Sequence, residues 1–472
     1  MTAWDDLLGT ALVGTGRRPF DLGDSAIEGA ARVTADSPEA GVLAAAALAA
    51  GYRRAGWTPR IWRGTPAPPA APDERPECTP AAAQILELLL TRSIRLEVGT
   101  ELLTLDWLRA ARRAGRRPPH RLLPELLRFG TTAAATRALV KDVAGPRGAW
   151  LAGHNPSWSW AVSVPPGEVA GRFATGTRAE RLALLADLRS AEPERALELV
   201  EETWTTEPAA TRAGFLDTLR TGLSGRDEPL LERALDDRAA TVRAAAAALL
   251  DHLPASSRAG RMAERAQRLR RDDGSFDLPG EPDESARRDG VTDHREPGLG
   301  RGASRLIQIL AATPLSTCDS GVAASIETAD RDVVLGWTKA ALHQRDPAWL
   351  AALARHQPTP ELIAALTPEA ATEILAGQGK LDARFGGLLA AAPGPWPAGF
   401  SLDIVGRLRA GKAEAVLRLA ARALAEHLHP RALAVVEDWL LALGTGHQAT
   451  SRTLRGIAHA LTIRATILQE FT

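Results

Sequence analysis

EPLLERALDDRAATVRAAAAALLDHLP, residues 228–254, reads as two short amphipathic helices joined by a tight acidic turn. Leu230, Leu231, Ala234 and Leu235 line one face of the first helix. Val242, Ala245, Ala246, Leu249, Leu250 and Leu253 follow the spacing of a helix that buries one stripe. Neither helix is long enough to hide its stripe alone, so the unit must stack on neighbours. That is the logic of an α-solenoid.

The same grammar recurs along the chain. Ser37-Pro38-Glu39, Thr79-Pro80, Asp346-Pro347, Thr359-Pro360-Glu361 and Thr367-Pro368-Glu369 each place a capping oxygen before a proline. The oxygen satisfies orphan N–H groups, and proline fits the first helical position, where no N–H is missed. The expected helices fall near 80–92, 101–114, 119–129, 131–143, 178–189, 193–205, 208–223, 228–236, 240–253 and 256–271. Further helices are expected near 303–312, 329–343, 347–356, 360–377, 401–410, 412–428, 430–443 and 450–468. Only 4% of residues are aromatic, and alanine and leucine fill most apolar positions, so helix is strongly favoured over strand. The expected fold is all-α, a HEAT-like α-solenoid of stacked antiparallel helix pairs interrupted by Pro/Gly-rich insertions.

Three breaks organise the chain: the proline-rich Gly64–Thr79, the polar stretch Arg271–Gly302 and the short Ala392–Phe400. The expected divisions are a helical segment at 1–63, a linker at 64–79 and a helical module at 80–177 ending in an irregular Trp-rich segment. HEAT-like repeats follow at 178–271, a polar loop at 272–302 and a C-terminal repeat region at 303–472. A loop as long as Arg271–Gly302 is either functional or mobile.

Lys+Arg and Asp+Glu both number 57, a balance that argues against a nucleic-acid coat or a membrane-surface binder. Cys78 and Cys318 lie far apart without partner ligands, which argues against a disulfide framework and fits a cytoplasmic protein. Val42–Ala50 reaches only about half the ~20 residues of a membrane span. The ten histidines are scattered, and no H-E-x-x-H, C-x-x-C or G-x-S-x-G occurs, so neither metal nor cofactor is expected.

Two segments stand out as surfaces for a partner. Arg109–Arg128 carries Arg112, Arg113, Arg116 and Arg117 among seven arginines opposed only by Glu125; it suits phosphate, an acidic partner or simple solvation. Gly145–Trp160 gathers Arg147, Trp150, His154, Asn155, Trp158 and Trp160, which suits an anchoring plug between modules or a binding surface. A hydrolase of unfamiliar type centred on His154 and Asn155 is a further alternative, requiring a cleft around the indoles. Gly9–Arg18 lacks the lysine and preceding strand of a phosphate loop.

Asp236-Asp237-Arg238 followed by Val242-Arg243 resembles HEAT repeats. In this reading an aspartate caps the second helix, while Arg243 reaches an acidic side chain of an adjoining repeat. Several segments together resemble an uncharacterised bacterial domain family, common in actinobacteria. They are Ala11–Pro19, Ala50–Pro59, Arg121–Gly130, Arg147–Trp160, Gly222–Pro254 and Ile309–Ser316. The resemblance implies a setting beside SWIM zinc-finger proteins, AAA+ ATPases and von Willebrand A-type proteins, and assigns no residue a role. The leading expectation is a non-catalytic scaffold or adaptor that binds another protein; the alternative is a nucleic-acid binder using the Arg109–Arg128 window.

Overall fold

A computed structural model describes residues 3–19, 35–56, 67–91, 100–162, 166–318, 322–443 and 447–472. Trp57–Pro59 and positions 64–66 of the proline-rich stretch lie outside the described residues. Among the described residues the regular structure is helical throughout; no strand forms, only two isolated bridges, Glu77 with Arg117 and Arg270 with Phe276. No helix among the described residues is long and apolar enough to cross a membrane. The chain divides into two compact units, Met1–Pro69 and Ala70–Thr472.

The first unit contains α1 (Ala3–Val13) and α2 (Pro38–Ala55). Leu7 packs with Ala45 and Ala49, and Arg18 pairs with Asp6 at 2.8 Å.

The second unit begins with α3 (Pro80–Leu90), α4 (Thr100–Arg113), α5 (Leu123–Thr132) and α6 (Arg137–Gly153). Thr79 caps α3 through the Ala82 N–H, and Pro80 opens the helix, as the sequence grammar requires. The stretch expected to be irregular after residue 143 is instead helical. Gly145 takes φ 60°, which L side chains rarely adopt, and Pro146 opens a second half of α6. The break is sealed by Arg75, which donates to the carbonyls of Asp142 and Val143 at 2.9 and 3.2 Å while paired with Asp73.

Next come α7 (Pro166–Thr175), α8 (Arg178–Ala191), α9 (Pro193–Thr203), α10 (Ala209–Leu219), α11 (Glu228–Ala234) and α12 (Ala240–Leu250), which share their own core. Here α8 packs on α9 and α10, and α12 packs on α10 and α11. Leu230, Leu231, Ala234, Leu235, Val242, Ala246, Leu249 and Leu250 are all buried, while Ala245 and Leu253 only border the core. Four contacts share one spacing. Arg178 to the Ala210 carbonyl, Arg189 to the Thr221 carbonyl, Arg226 to Glu194 and Arg233 to Glu201 each span 32 residues. No such period is visible in residue identity.

The turn between α11 and α12 departs from the expected roles. Ala239, not an aspartate, occupies the position before α12, and within the turn Asp237 accepts from the Ala239 N–H. The inter-helix ion pair exists, but Asp237 makes it, with Arg212 on α10 at 2.8 and 2.9 Å. Arg243 instead donates to the carbonyls of Asp237 and Arg238. Its guanidinium is held by the turn that precedes its own helix.

Beyond these lie α13 (Ser257–Leu269), α14 (Glu284–Arg288), α15 (Arg301–Ala311), α16 (Val322–Thr328), α17 (Arg331–Gln344) and α18 (Pro347–His356). The polar stretch 272–302 holds α14 and is fastened by buried Asp289. The expected helix 360–377 is two helices, α19 (Pro360–Ala365) and α20 (Pro368–Ala376), because Thr367 caps a new start. The remainder is α21 (Ala383–Ala391), α22 (Ala398–Ala410), α23 (Glu414–Leu419), α24 (Ala421–His427), α25 (Leu433–Ala442) and α26 (Gln448–Glu470).

The last helix returns to the start of its unit: α26 packs on α3 and α4 as well as on α24 and α25. Arg464 meets Asp106 at 3.0 Å, and Phe471 sets its ring edge-on to Trp107 with centroids 5.2 Å apart. One core cluster accordingly contains both Leu86–Val143 side chains and Leu454–Ile467 side chains.

Candidate functional site

Most guanidiniums of the arginine-rich window meet acidic or carbonyl groups of their own chain. Arg109 pairs with Asp106, Arg112 with Asp142 at 3.8 Å, Arg117 with Glu77 at 3.0 Å, Arg121 with Glu87 at 2.9 Å and Arg128 with Glu125. Arg116 donates to the Glu77 carbonyl, and Arg113 is exposed on α4. Much of the neutralising charge comes from other helices and from the stretch before α3, so it is invisible when the window is read alone. Burial, then neighbouring Glu77, pushes the Cys78 thiol up to about 11, leaving no thiolate there at neutral pH.

The Trp-rich segment splits. Trp160 donates to Thr131 at 3.1 Å, lies under the Arg137 guanidinium and occupies the space beside Gly130. A Cβ at Gly130 would lie 2.4 Å from the Trp160 ring, so glycine is required for that seat. Trp158 packs partly buried against Leu127, Ala152 and Ala161. Trp150 contacts the His154 ring edge-on at 4.6 Å; His154 and Arg147 are exposed, and Asn155 caps the 3-10 turn Pro156–Ala161. Trp160, Ser157 and Ser159 also line an open depression of about 600 Å³ against α7 and α8, but His154 and Asn155 are not among its lining residues.

Another constellation is built around Asp289, which is fully buried. Arg261 reaches its carboxylate at 2.6–3.1 Å and Arg265 at 2.7 Å, while Arg258 donates to its carbonyl at 2.7 Å. Arg261 also bridges to Glu232, and Arg288 grips Asp236 at 2.6 and 2.9 Å. Asp236 and Asp237 therefore point apart, one to the polar stretch and one to α10, which excludes a shared carboxylate site. Burial pushes Asp289 up, but hydrogen bonds from Arg261 and Arg265 outweigh it and hold the carboxyl below its ordinary 3.8. A depressed folded value adds stability above the unfolded pKa and loses it as pH falls through the folded value. Acid titration followed by circular dichroism should show stability declining below about pH 4, with a shallower decline in Asp289→Asn.

This network forms one side of a cleft of about 480 Å³ whose lining comes from α12, α13, the Arg287–Thr292 stretch, α15 and α17. Arg243, Arg258, Arg287, Arg288 and Lys339 line it against a single carboxylate, Asp251. His343 lines it too, with its Nδ1 closed off from solvent. Its carbonyl lies 2.8 Å from His252 Nδ1. Burial pulls the His343 pKa down, so the ring is neutral at neutral pH. Among the described residues no group of three or more His, Cys, Asp or Glu is placed to hold a metal ion.

The arrangement defines an all-helical protein with a basic cleft between helical layers. The chain belongs to a family of unknown function, DUF5691, whose pattern it matches over residues 6–471. No curated protein and no solved structure matches it.

Proposed function

We propose that this protein is a non-catalytic scaffold of HEAT-like repeats, a solenoid in local design, that docks another protein. The common spacing of 32 residues between inter-helix contacts supports the repeat reading. The docking reading is carried by one observation on α1. Trp4, Leu8 and Leu12 recur every fourth residue, so they share a face, and they are 36%, 52% and 79% exposed. The adjoining face, through Leu7, already fills the core of the first unit. A helix apolar on both faces marks a surface that a partner covers. The family's resemblance to chains encoded beside AAA+ ATPases makes a component of such an ATPase-linked system the proposed partner. The alternative of nucleic-acid binding draws no support from the Arg109–Arg128 window, whose guanidiniums mostly meet carboxylates and carbonyls of their own chain.

Affinity capture from the native host, comparing the protein with a Leu8→Glu/Leu12→Glu variant, tests the reading. Both side chains are exposed, so the double change should leave the helical signal unchanged and the unfolding free energy within about 0.5 kcal/mol per site of the parent. The parent should retain a protein partner in stoichiometric amount, and the variant should lose it. A parent that captures nothing, or a folded variant that captures the same partner equally, contradicts the proposal.

A further inference from the structure

We propose that the cleft between α12–α13 and α15–α17 is a binding site for a small phosphate monoester carrying an apolar group. The inference is independent of the docking role of α1, and its test does not involve that helix.

The design of α12 leaves this cleft open. One face, through Val242, Ala246, Leu249 and Leu250, fills the core. A helix on a protein surface ordinarily turns charged or long polar side chains outward on its other face. Here Ala240, Ala244, Ala247 and Ala248 line the cleft instead, with Ile307 and Ala311 of α15 contributing to the same lining. Side chains that end at Cβ leave room, and the resulting 480 Å³ lies within the range of small-molecule sites.

Positive charge gathers around the same cleft. Arg243, Arg258, Arg287, Arg288 and Lys339 meet only Asp251 among the lining carboxylates. Three of these cations are anchored by acidic groups: Arg258 by Asp251, Arg288 by Asp236 and Glu232, and Lys339 by Glu296. Such anchoring fixes their positions without removing every donor. Arg243 is held by the neutral carbonyls of residues 237 and 238, so its full charge remains for the cleft. Arg287 is exposed beside it on the Arg287–Thr292 stretch. Guanidiniums and an ammonium converging on one cavity match a dianionic head with three acceptor oxygens better than a monoanionic carboxylate.

The test is titration calorimetry on the full chain at low salt with phenyl phosphate, inorganic phosphate and benzoate. Phenyl phosphate should bind, with inorganic phosphate and benzoate each weaker by about tenfold or more, because each lacks one half of the matched chemistry. The affinity should fall as salt is added. Arg287→Gln removes an exposed charge and should weaken phenyl phosphate by about tenfold. Ala248→Leu fills the cavity without changing charge and should abolish binding; thermal midpoints of both variants establish that they fold. Absence of binding at millimolar phenyl phosphate, equal affinity for benzoate, or parental affinity in either folded variant overturns the proposal.

Discussion

Asp227→Ala is expected to lower the unfolding free energy by about 3–5 kcal/mol, among the largest losses for a single substitution in this chain. Asp227 and Arg189 have side chains 1% exposed and face each other through two bonds of 2.9 and 3.0 Å. Arg189 also donates to the carbonyls of Pro193, Leu219, Thr221 and Gly222, so its position ties α8 to the start of α9, the end of α10 and the loop that follows it. Removing the carboxylate leaves a guanidinium in the interior with dipoles around it but no counter-charge. It also frees the Ser224 N–H that Asp227 accepts from. Urea denaturation followed by circular dichroism reads the loss as a lowered midpoint. Arg189→Met combined with Asp227→Leu should recover part of it, since a volume-matched apolar pair carries no stranded charge. A single substitution that leaves the midpoint unchanged would show that the pair is not enclosed.

Trp107→Ala should cost a similar amount, about 3–5 kcal/mol, through the cavity left by a large buried side chain. Trp107 is fully buried on α4, donates its indole N–H to the Ala82 carbonyl at 2.8 Å and meets Phe471 just beyond α26. Three segments of the second unit lose a shared contact at once. The same denaturation experiment checks it, and the loss should exceed that of Phe471→Ala, because Phe471 is only partly buried.

Much of the helical architecture is legible before any coordinate, for a local reason. Thr79, Asp346, Thr359 and Thr367 each cap a helix opened by the following proline. Capping is decided within four residues, so a sequence displays it. The failures are equally physical. Residues 360–377 look like one helix because the apolar rhythm continues through Leu366, although Thr367-Pro368 starts another. Helix α21 is concealed by Gly386 and Gly387, poor helix formers; at Gly386 a Cβ would press to 3.1 Å on Leu419 of α23.

The candidate site was less legible than the fold. Asp289 sits in a stretch of alternating charges that reads as solvated surface, and its arginine partners lie 24 and 28 residues away in sequence. Arg243 stands out in the sequence for an inter-repeat ion pair, but Asp237 and Arg212 make that pair instead. One signal was present and unread: the run Ala244–Ala248 supplies small residues to both faces of α12, more than burying one stripe requires. In the arginine window a count of cations does not reveal the carboxylates that neighbouring helices bring to them.

The central structural claim is that the second unit closes on itself, the last helix completing the core of the first two. A double-mutant cycle on Trp107→Ala and Phe471→Ala isolates that contact from everything else each substitution disturbs. The account predicts a coupling free energy of about 0.5–1.5 kcal/mol between the two rings. Strict additivity of the two losses would contradict it.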